Sequence, residues 1–517
     1  MKKLFIMSVI VFLIAGNIFA GGGGQQTPSQ GRPSEDKVFN AIMSASFTGF
    51  DPLRTNDSAS TYVNAQIYET LYRLPPGSTE FTCLLAEKLP EFSPDGRTVT
   101  IKLREGIKFH DGTPFNAAAV KYTIDLIKDP SFPSGRRSIV AAIERVDIVD
   151  EYTIRMPLSY QDGVLTAKLA HTNAAIVSPA AQKAQDLMVK PVGTGAYKFV
   201  SSISGAEVVL VRNDDYWGGK PAIKNIKMTV IADESTALAR METGEGDFFI
   251  ALPVPLESRA KSIRNITVMS SEASNMYYLN PRPNSWKNPK MADRNFRIAI
   301  AKSIDIQGFV DNVVRGYGRA ANSVMGPPIF GYDPNAKAGY PYDLAGAKKL
   351  ITDNGWANEP ISFLVPSTPV YTPMGEYIQA NLKAAGFNNV QIEAIDWAAW
   401  LVESRAENRF DLTLGGWSNI TRDGSELFEP NWHSTLAAAQ RYFINSKQVD
   451  DFIQASKITS VAADRIRALR SVDELMMREV YTIPLYYATN LFCYNNMSTN
   501  VNRDAGGTFY AKDFKIK

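Results

Sequence analysis

The sequence predicts an α/β protein built from two or three domains. Its 517 residues are more than a single hydrophobic core accommodates, which indicates several domains. Strand and helix patterns alternate over residues 361–395, as they do in a compact unit with a largely parallel sheet. After a long helical pattern, the apolar run Ile483–Tyr487 predicts a strand that returns the chain toward its first part.

Composition restricts the class of function. The chain is 45% hydrophobic and 21% charged, as globular proteins are, and its net charge of +2 does not indicate a nucleic-acid partner. Cys83 and Cys493 are its two cysteines, and there is no C-x-x-C motif, so neither redox work nor a thiolate metal site is predicted. Two separate thiols are the favoured interpretation, with a disulfide left open.

The N-terminus has the pattern of an export signal. Lys2-Lys3 precedes the apolar stretch Leu4–Ala15, and Ala20 offers a small residue for cleavage. We therefore expect residues 1–20 to be a cleavable signal peptide and residues 21–34, rich in Gly, Gln, Ser and Pro, to be a flexible linker. No cysteine lies at the cleavage point, so a lipid anchor is not expected.

The first part of the folded chain is predicted to be rich in strands. Alternating apolar residues over Thr98–Leu103 follow a turn and predict a hairpin strand. Thr113 is the predicted N-cap, and Pro114 the first residue, of a helix that ends before Pro130. The remaining patterns predict strands over 37–42, 143–156, 197–200, 208–211 and 223–231, and helices over 62–71 and 233–241.

After Glu272 the pattern changes to regular alternation of strands and helices. Gly386 and Asn354-Gly355 are predicted helix stops. The patterns predict strands over 276–280, 361–365 and 390–395, and helices over 293–303, 306–315, 342–354, 374–385 and 461–479.

No motif predicts catalysis, a cofactor or a metal. Gly193-Thr194-Gly195 precedes a strand rather than a helix, so it is interpreted as a structural turn and not as a phosphate loop. H-E-x-x-H and G-x-S-x-G motifs are absent, and the three histidines lie far apart in the sequence. His110 precedes an Asp-Gly turn and is predicted to be structural.

The stretch Phe410–Phe428 is the most informative part of the chain. Residues 410–414 alternate like a strand with one buried face, and two glycines and Trp417 follow. Arg422, Asp423 and Glu426 come next. A strand end that carries an aromatic ring, a guanidinium and two carboxylates suits a small polar ligand with charged ends. A buried Trp beside a solvated loop is the alternative interpretation.

Several motifs occur in a fixed order along nearly the whole mature chain. They are A-Q-I-Y-E-T-L at 65–71, P-D-G at 94–96, L-R-E-G-I-K-F-H-D-G at 103–112, V-G-T-G-A-Y at 192–197, D-Y-W at 215–217, the helix pair within 297–316 and I-P-L-Y at 483–486. In this combination the chain resembles the family 5 solute-binding proteins of bacterial ABC importers, the peptide, nickel and glutathione class.

The resemblance implies a periplasmic-binding-protein-like clamshell of type II, in the large three-domain form, with two lobes joined by a hinge. It places lobe I at 35–66, 191–272 and 484–517, with an extra subdomain of lobe I at 67–190, and lobe II at 273–483. The chain would cross between the lobes near 273–276 and near 483–484.

The resemblance also implies a function. The protein is expected to be a monomer outside the cytoplasm that closes on a small peptide, such as a di- or oligopeptide or glutathione. It would deliver this ligand to the permease and ATPase subunits of an ABC importer. It is not expected to be an enzyme, and no cofactor or nucleic acid is expected as a partner.

The site residues are implied by the same resemblance. Peptide-binding members of the family hold the ligand's ammonium group with an Asp three residues after the Trp, and here that position is Ile420. Asp423 is the candidate replacement and Arg422 the candidate partner for a ligand carboxylate, with a solvent-facing Arg as the alternative. The predicted ligand-binding residues are Gly416, Trp417, Ser418, Asn419, Arg422, Asp423, Trp400 and Tyr486.

Other ligands and functions stay open at this point. Residues 442–451 resemble the glutathione-binding branch, whereas Ile420 and a supply of tryptophans suit an oligosaccharide or an opine-like ligand. A nickel chelate is a third alternative, and an exported chaperone or adhesin with an open cleft is a fourth. The tryptophans in question are Trp397, Trp400, Trp417 and Trp432.

Overall fold

A computed structural model describes residues 37–517, apart from 79, 286, 338, 369, 407–408, 420 and 436–443. The predicted signal peptide and linker, Ile420, and the pair 442–443 therefore lie outside the described residues. The strands are β1 (Val38–Met43), β2 (Tyr72–Arg73), β3 (Thr82–Cys83), β4 (Glu91–Phe92), β5 (Thr98–Lys102), β6 (Asp147–Asp150), β7 (Thr153–Pro157), β8 (Tyr197–Ile203), β9 (Glu207–Arg212), β10 (Asn225–Val230), β11 (Phe248–Phe249), β12 (Ile266–Pro281), β13 (Gly318–Ala320), β14 (Ile361–Pro366), β15 (Val390–Ile395), β16 (Leu412–Ser418), β17 (Ile483–Asn495), β18 (Ser498–Thr499) and β19 (Lys515–Ile516).

Fourteen α-helices connect these strands in the described part of the chain. They are α1 (Ser58–Ile67), α2 (Ala117–Lys128), α3 (Leu165–Leu169), α4 (Pro179–Ala184), α5 (Glu234–Glu242), α6 (Glu257–Ser262), α7 (Arg294–Ser303), α8 (Ile306–Asn312), α9 (Leu344–Asp353), α10 (Tyr371–Ala385), α11 (Trp397–Glu403), α12 (Ser425–Trp432), α13 (Lys447–Lys457) and α14 (Ala462–Arg478).

One large sheet runs through the molecule in the order β15-β14-β16-β12-β17-β11-β1-β10-β9-β8, with β13 paired to β17. We call the part that packs around β1 lobe I and the part that packs around β16 lobe II. β14 is parallel to both β15 and β16, which confirms the predicted parallel unit. β12 and β17 are antiparallel to each other and belong to both lobes.

The hinge strands show where the chain crosses between the lobes. Residues 266–272 of β12 pair with 489–495 of β17, and residues 276–279 pair with 483–487, with a register shift between Glu272 and Met276. This register shift lies next to 273–276, where the sequence predicts the first crossing. The second lies beyond Ala488 rather than at 483–484, because Leu485 and Tyr486 are buried in the core of lobe II. The lobe boundaries as a whole stay a prediction.

Each lobe has its own hydrophobic core. Lobe I is filled by residues from 39 to 250 together with Phe492, Val501, Phe509 and Phe514 of the C-terminal segment. Among the described residues, lobe II has three clusters. They lie around Phe296, Phe363 and Leu414, around Met276, Phe428 and Trp432, and around Leu364, Trp400 and Phe410. Two separate cores joined by two strands allow the lobes to move as rigid bodies.

Helix ends follow the local sequence rules with one exception. The side chains of Asp233 and Asp343 cap α5 and α9, and Gly386 ends α10 with a φ of 111°. The prediction of Thr113 as an N-cap is wrong: α2 begins at Ala117, and Asn116 is its cap. The reason is that Asp111 accepts hydrogen bonds from the backbone N–H and hydroxyl of Thr113, which holds that residue in a turn.

His110 and the glycine turn hold the subdomain strands against α1. Nε2 of His110 donates to the carbonyl of Gly195 at 2.8 Å, so Nδ1 is the acceptor for the N–H of Gly193 at 3.4 Å. A Cβ atom at Gly193 would overlap the carbonyl oxygen of Ile67, so only glycine fits there. Burial lowers the pKa of His110 to about 4. The turn and the histidine therefore have the structural role that the sequence predicted.

The first prediction concerns the pH dependence of stability. His110 has a folded pKa of about 4 against an ordinary value of 6.5, so as the pH falls the unfolded chain binds this proton first. The stabilisation is complete above pH 6.5 and is lost as the pH falls toward 4. Between about pH 7.5 and 4 we expect wild type to lose about 1–3 kcal/mol more unfolding free energy than His110→Gln, measured by urea denaturation. Equal pH slopes for the two proteins would contradict it.

Candidate functional site

The carboxyl ends of the parallel strands in lobe II form the candidate site. β14, β15 and β16 end at Pro366, Ile395 and Ser418, and because they run parallel these ends lie at one edge of the sheet. α10 and α11 begin directly after β14 and β15, at Tyr371 and Trp397. In open α/β sheets, ligands bind outside this edge.

Among the described residues, the end of β16 pairs with a neighbouring strand on one side only. Its ladder with β12 extends from Leu412 to Ser418, whereas its ladder with β14 stops at Thr413. The backbone of Gly415–Ser418 therefore extends beyond β14. A Cβ atom on Gly416 would lie 2.5 Å from Oη of Tyr371 and 3.0 Å from the ring of Tyr277, so the glycine permits a close approach.

An aromatic wall lies beside this strand end. It consists of Tyr277, Tyr371, Trp397, Trp400 and Tyr486. The Tyr277 and Tyr486 rings stack at 4.8 Å, and Trp397 stacks on Tyr371 at 5.9 Å and on Trp400 at 5.0 Å. Trp397 is 43% exposed, whereas Trp400 and Tyr486 are buried. Trp397 is thus the most exposed member of the wall.

Two of the predicted contact residues support the site from within. Nε1 of Trp400 donates to Oγ1 of Thr413 at 3.0 Å, which fixes the indole behind Trp397. Trp417 is half-buried against the second core cluster of lobe II, which includes Met276 and Trp432. Ser418 is exposed at the strand end.

The loop after β16 is held by Asn419. Its N–H donates to the carbonyl of Ser274 at 3.1 Å, and its side-chain Nδ2 donates to the carbonyl of Asp423 at 2.7 Å. Its Oδ1 accepts from the hydroxyl of Thr421 at 2.9 Å. Asn419 is buried and shapes the loop from the inside, so its side chain is already fully used within the protein.

Asp423 is engaged by a neighbouring helix. Both of its carboxylate oxygens lie 2.7 Å from Nη2 of Arg465 in α14, and Oδ1 also accepts from the N–H and the hydroxyl of Ser425. Asp423 and Arg465 are both buried. The predicted role of Asp423 as the replacement for the ammonium-binding Asp is not supported by this geometry, because Arg465 already neutralises the carboxylate.

Arg422 reaches across to lobe I. Its φ of +54° is in the left-handed region, and its Nη2 donates to the carbonyl of Leu74 at 3.0 Å. The same nitrogen lies 3.8 Å from Oδ2 of Asp504. Burial lowers the pKa of the Arg422 guanidinium. The alternative of a solvent-facing Arg is wrong, because the side chain is only 4% exposed.

A small cavity surrounds the Arg422 guanidinium. It has a volume of about 40 Å³, enough for two or three water molecules or one charged group, and both lobes line it. Nε of Arg422 is buried and has no hydrogen-bond partner among the described residues. Burial raises the pKa of Asp504, which faces the same cavity. The remaining polar lining comes from Arg73, His171, Thr172, Thr421, Thr508 and Tyr510.

A second set of contacts between the lobes involves Lys168 and Gly163 of lobe I. Nζ of Lys168 in lobe I lies 2.8 Å from Asp162 in its own lobe and 3.7 Å from Glu426 in lobe II. The N–H of Gly163 donates to the carbonyl of Lys457 at 2.8 Å. The structure therefore shows the two lobes in contact on both sides of the loop after β16.

Among the described residues, no group of three or more His, Cys, Asp or Glu side chains could hold a metal ion. His433 contacts Thr435 and lies 3.8 Å from Asp450. No helix in the described part of the chain is long and apolar enough to cross a membrane. Cys83 and Cys493 are free thiols, as the sequence favoured.

Comparison with known proteins shows which family this architecture belongs to. The sequence model described as "Bacterial extracellular solute-binding proteins, family 5 Middle" matches residues 80–438. The chain is a family 5 bacterial extracellular solute-binding protein. A glutathione-binding protein, GsiB of Escherichia coli O1:K1 / APEC, is 30% identical over 461 residues, which cover 86% of this chain and 87% of that protein.

Solved structures of the family share the fold. HbpA2 from Haemophilus parasuis superimposes with a TM-score of 0.82 at 21% identity, covering 93% of this chain and 99% of that one. A dipeptide-binding protein from Pseudoalteromonas sp. SM9913, in complex with Met-Leu, has a TM-score of 0.76 at 22% identity and covers 93% and 100%. The type II clamshell predicted from the sequence is thereby confirmed.

Sequence reasoning did not include all of the residues that shape this family 5 site. Tyr277 and Tyr371 were absent from the predicted set, although Tyr371 lies shortly before the predicted helix over 374–385 and after the predicted strand over 361–365. Trp397 was considered only for a sugar ligand, and Trp400 was predicted in its place. Trp397 follows β15 more closely than Trp400 does, and it is the exposed ring of the two. Its position after the strand end was the feature of the sequence that could have identified it.

The second prediction concerns the buried ion pair. Asp423→Ala leaves the Arg465 guanidinium buried without its charge partner, so we expect it to lower the unfolding free energy by about 3–5 kcal/mol in urea denaturation. Asp423→Leu combined with Arg465→Met should recover most of the loss, because it removes both charges.

The matched control for this prediction is Asp464→Ala. Asp464 lies on the same helix and forms a 3.0 Å pair with Arg467, but both side chains are exposed. We expect this control to change the unfolding free energy by less than about 0.5 kcal/mol. If Asp423→Ala were as stable as the control, the assignment of Asp423 to Arg465 would be refuted.

Proposed function

We propose that this protein is the extracytoplasmic substrate-binding subunit of an ABC importer and captures a small peptide between its lobes. The single observation that carries the proposal is the end of β16, whose backbone extends beyond β14 next to the half-exposed Trp397. The names of two relatives point the same way, since one binds glutathione and the other was crystallised with Met-Leu.

The peptide main chain is the part of the ligand that β16 would bind. An extended peptide that adds to the Gly415–Ser418 edge pairs its N–H and C=O groups with that backbone, as an added strand does. Its side chains then alternate between the two faces, and one of them meets the ring face of Trp397. The missing side chain of Gly416 lets Tyr371 and Tyr277 pack against this strand end.

The charged ends of the ligand need partners other than Asp423. Arg422 keeps its predicted role for a ligand carboxylate, because the residue lines the cavity between the lobes and its buried Nε is a donor without a partner among the described residues. For an ammonium group, Asp504 is the carboxylate that faces the same cavity. The cavity's volume of about 40 Å³ suits one terminus and not a whole side chain.

Closure of the lobes is the proposed means of capture. A ligand bound to β16 gains contacts with lobe I only when the lobes meet, so it shifts the population toward the closed form. Moving from mostly open to mostly closed takes about 5.5 kcal/mol of differential binding. A micromolar ligand supplies about 8 kcal/mol in total, so ordinary affinity is sufficient.

Delivery and location complete the proposal. The closed protein would dock on the permease and ATPase subunits of the importer as a monomer, after export directed by the signal peptide at residues 1–20. It would act outside the cytoplasm as a binding protein without catalytic activity, cofactor or nucleic-acid partner. The net charge of +2 agrees with the last point.

The third prediction tests the aromatic wall. Trp397→Ala removes the exposed ring face, and we expect it to weaken peptide binding by about tenfold, which corresponds to about 1.4 kcal/mol. Isothermal titration with a dipeptide, a tripeptide and reduced glutathione measures this. Tyr342→Ala is the control, because Tyr342 is 47% exposed and lies outside the aromatic wall.

A thermal-shift screen tests the ligand class itself. Peptides or glutathione should raise the melting temperature of the wild type, whereas neutral oligosaccharides, an opine and nickel with free histidine should not. A shift with a sugar, an opine or the nickel chelate alone would replace the peptide proposal. Binding to unfolded chains without any small-molecule shift would favour the chaperone or adhesin alternative.

A further inference from the structure

Gly163 is a point of close contact between the two lobes. Its N–H donates to the carbonyl of Lys457 in lobe II at 2.8 Å. A Cβ atom at this position would overlap the carbonyl oxygen of Thr459 and would lie 2.9 Å from Cδ of Arg465. The φ of Gly163 is outside the left-handed region, so its backbone conformation does not itself require glycine. The glycine is needed for space, and lobe II is what occupies that space.

The surface of lobe II opposite Gly163 cannot easily move away. Arg465 is buried, and its guanidinium is held by both oxygens of Asp423 at 2.7 Å and by the carbonyl of Ser456 at 2.8 Å. The side chain of Lys457 forms an ion pair with Glu429. The Arg465 side chain and the Lys457 end of α13, which flank the Thr459 carbonyl opposite Gly163, are therefore held in place on the side of lobe II.

The surface of lobe I is equally fixed. Oδ1 of Asp162 accepts from the N–H of Val164 at 3.1 Å, and Oδ2 accepts from Nζ of Lys168 at 2.8 Å. These bonds bracket Gly163 on both sides. Neither lobe can yield by the distance that an added methyl group requires, since packed interiors transmit such a strain rather than absorb it.

We propose that Gly163 is a steric gate for lobe closure, a position at which any side chain blocks the closed form and leaves the open form unaffected. The proposal rests on the closure mechanism proposed above and adds a residue that controls it. Gly163 lies outside the end of β16. A substitution there would therefore change the affinity for the ligand without removing a contact to it.

The gate is connected to the ligand-binding edge by a short chain of contacts. Asn419 and Asp423 belong to the loop that directly follows β16, and Asp423 holds Arg465 against Gly163. The loop that borders the ligand-binding edge therefore also supports the surface onto which Gly163 docks. The interlobe contact and the ligand edge favour the same closed arrangement.

The experiment compares wild type with Gly163→Ala and Gly163→Val. We expect both variants to keep the melting temperature of the ligand-free protein, to bind glutathione or a tripeptide at least tenfold more weakly, and to show little or no decrease in radius of gyration by X-ray scattering when the peptide is added. Gln161→Ala is the matched control in the same loop, because the side chain of Gln161 donates to Asp95 within lobe I.

Two results would overturn the gate. One is a peptide affinity of Gly163→Val equal to that of wild type. The other is a decrease in radius of gyration on peptide addition equal to that of wild type.

If wild type binds neither glutathione nor a tripeptide, the proposed function fails separately, and amide hydrogen exchange without ligand then tests the gate. The gate is supported if the amide of Gly163 exchanges slowly in wild type and the amides of residues 457–459 exchange faster in Gly163→Ala than in wild type. Exchange at Gly163 in wild type as fast as in a solvated loop rejects it.

Discussion

The ladder between β12 and β17 is the constraint on which the rest of the structure depends. These two strands carry the chain from one core to the other and pair with each other in both lobes, so the lobes share a sheet but not a core. The ladder keeps its hydrogen bonds on both sides of a register shift between Glu272 and Met276. A bend at that shift can separate the lobes without exposing either core, which is the physical requirement for a clamshell.

The loop after β16 links the movement of the lobes to the site, because it has contacts with both lobes. It begins at the strand end, where backbone groups extend beyond the neighbouring strand, and it contains both Arg422 and Asp423. Arg422 turns toward lobe I, while Asp423 turns into lobe II and binds Arg465. Two adjacent residues of opposite charge thus serve opposite lobes. The left-handed backbone of Arg422 makes this possible, because it reverses the direction of the chain between them.

Much of the fold could be predicted because its signals are local. The strand 390–395 and the helix over 462–478 follow from periodicity within a few residues of the predicted ends. Where a prediction failed, a neighbouring side chain had changed the local outcome. Thr113 did not cap a helix, because Asp111 two residues earlier took its N–H and hydroxyl. β17 crossed between lobes later than predicted, because the core of lobe II retained Leu485 and Tyr486.

The family, the order of elements and the strand end that borders the site follow from the sequence alone, because short contiguous motifs indicate all three. What each side chain does at the site depends on the tertiary structure. Asp423 was paired by a helix 42 residues away in the sequence, and Arg422 by a carbonyl 348 residues away. Trp397, and not Trp400, was left with an exposed ring. Charge pairing and exposure depend on groups that meet only after folding, and no local pattern contains that information.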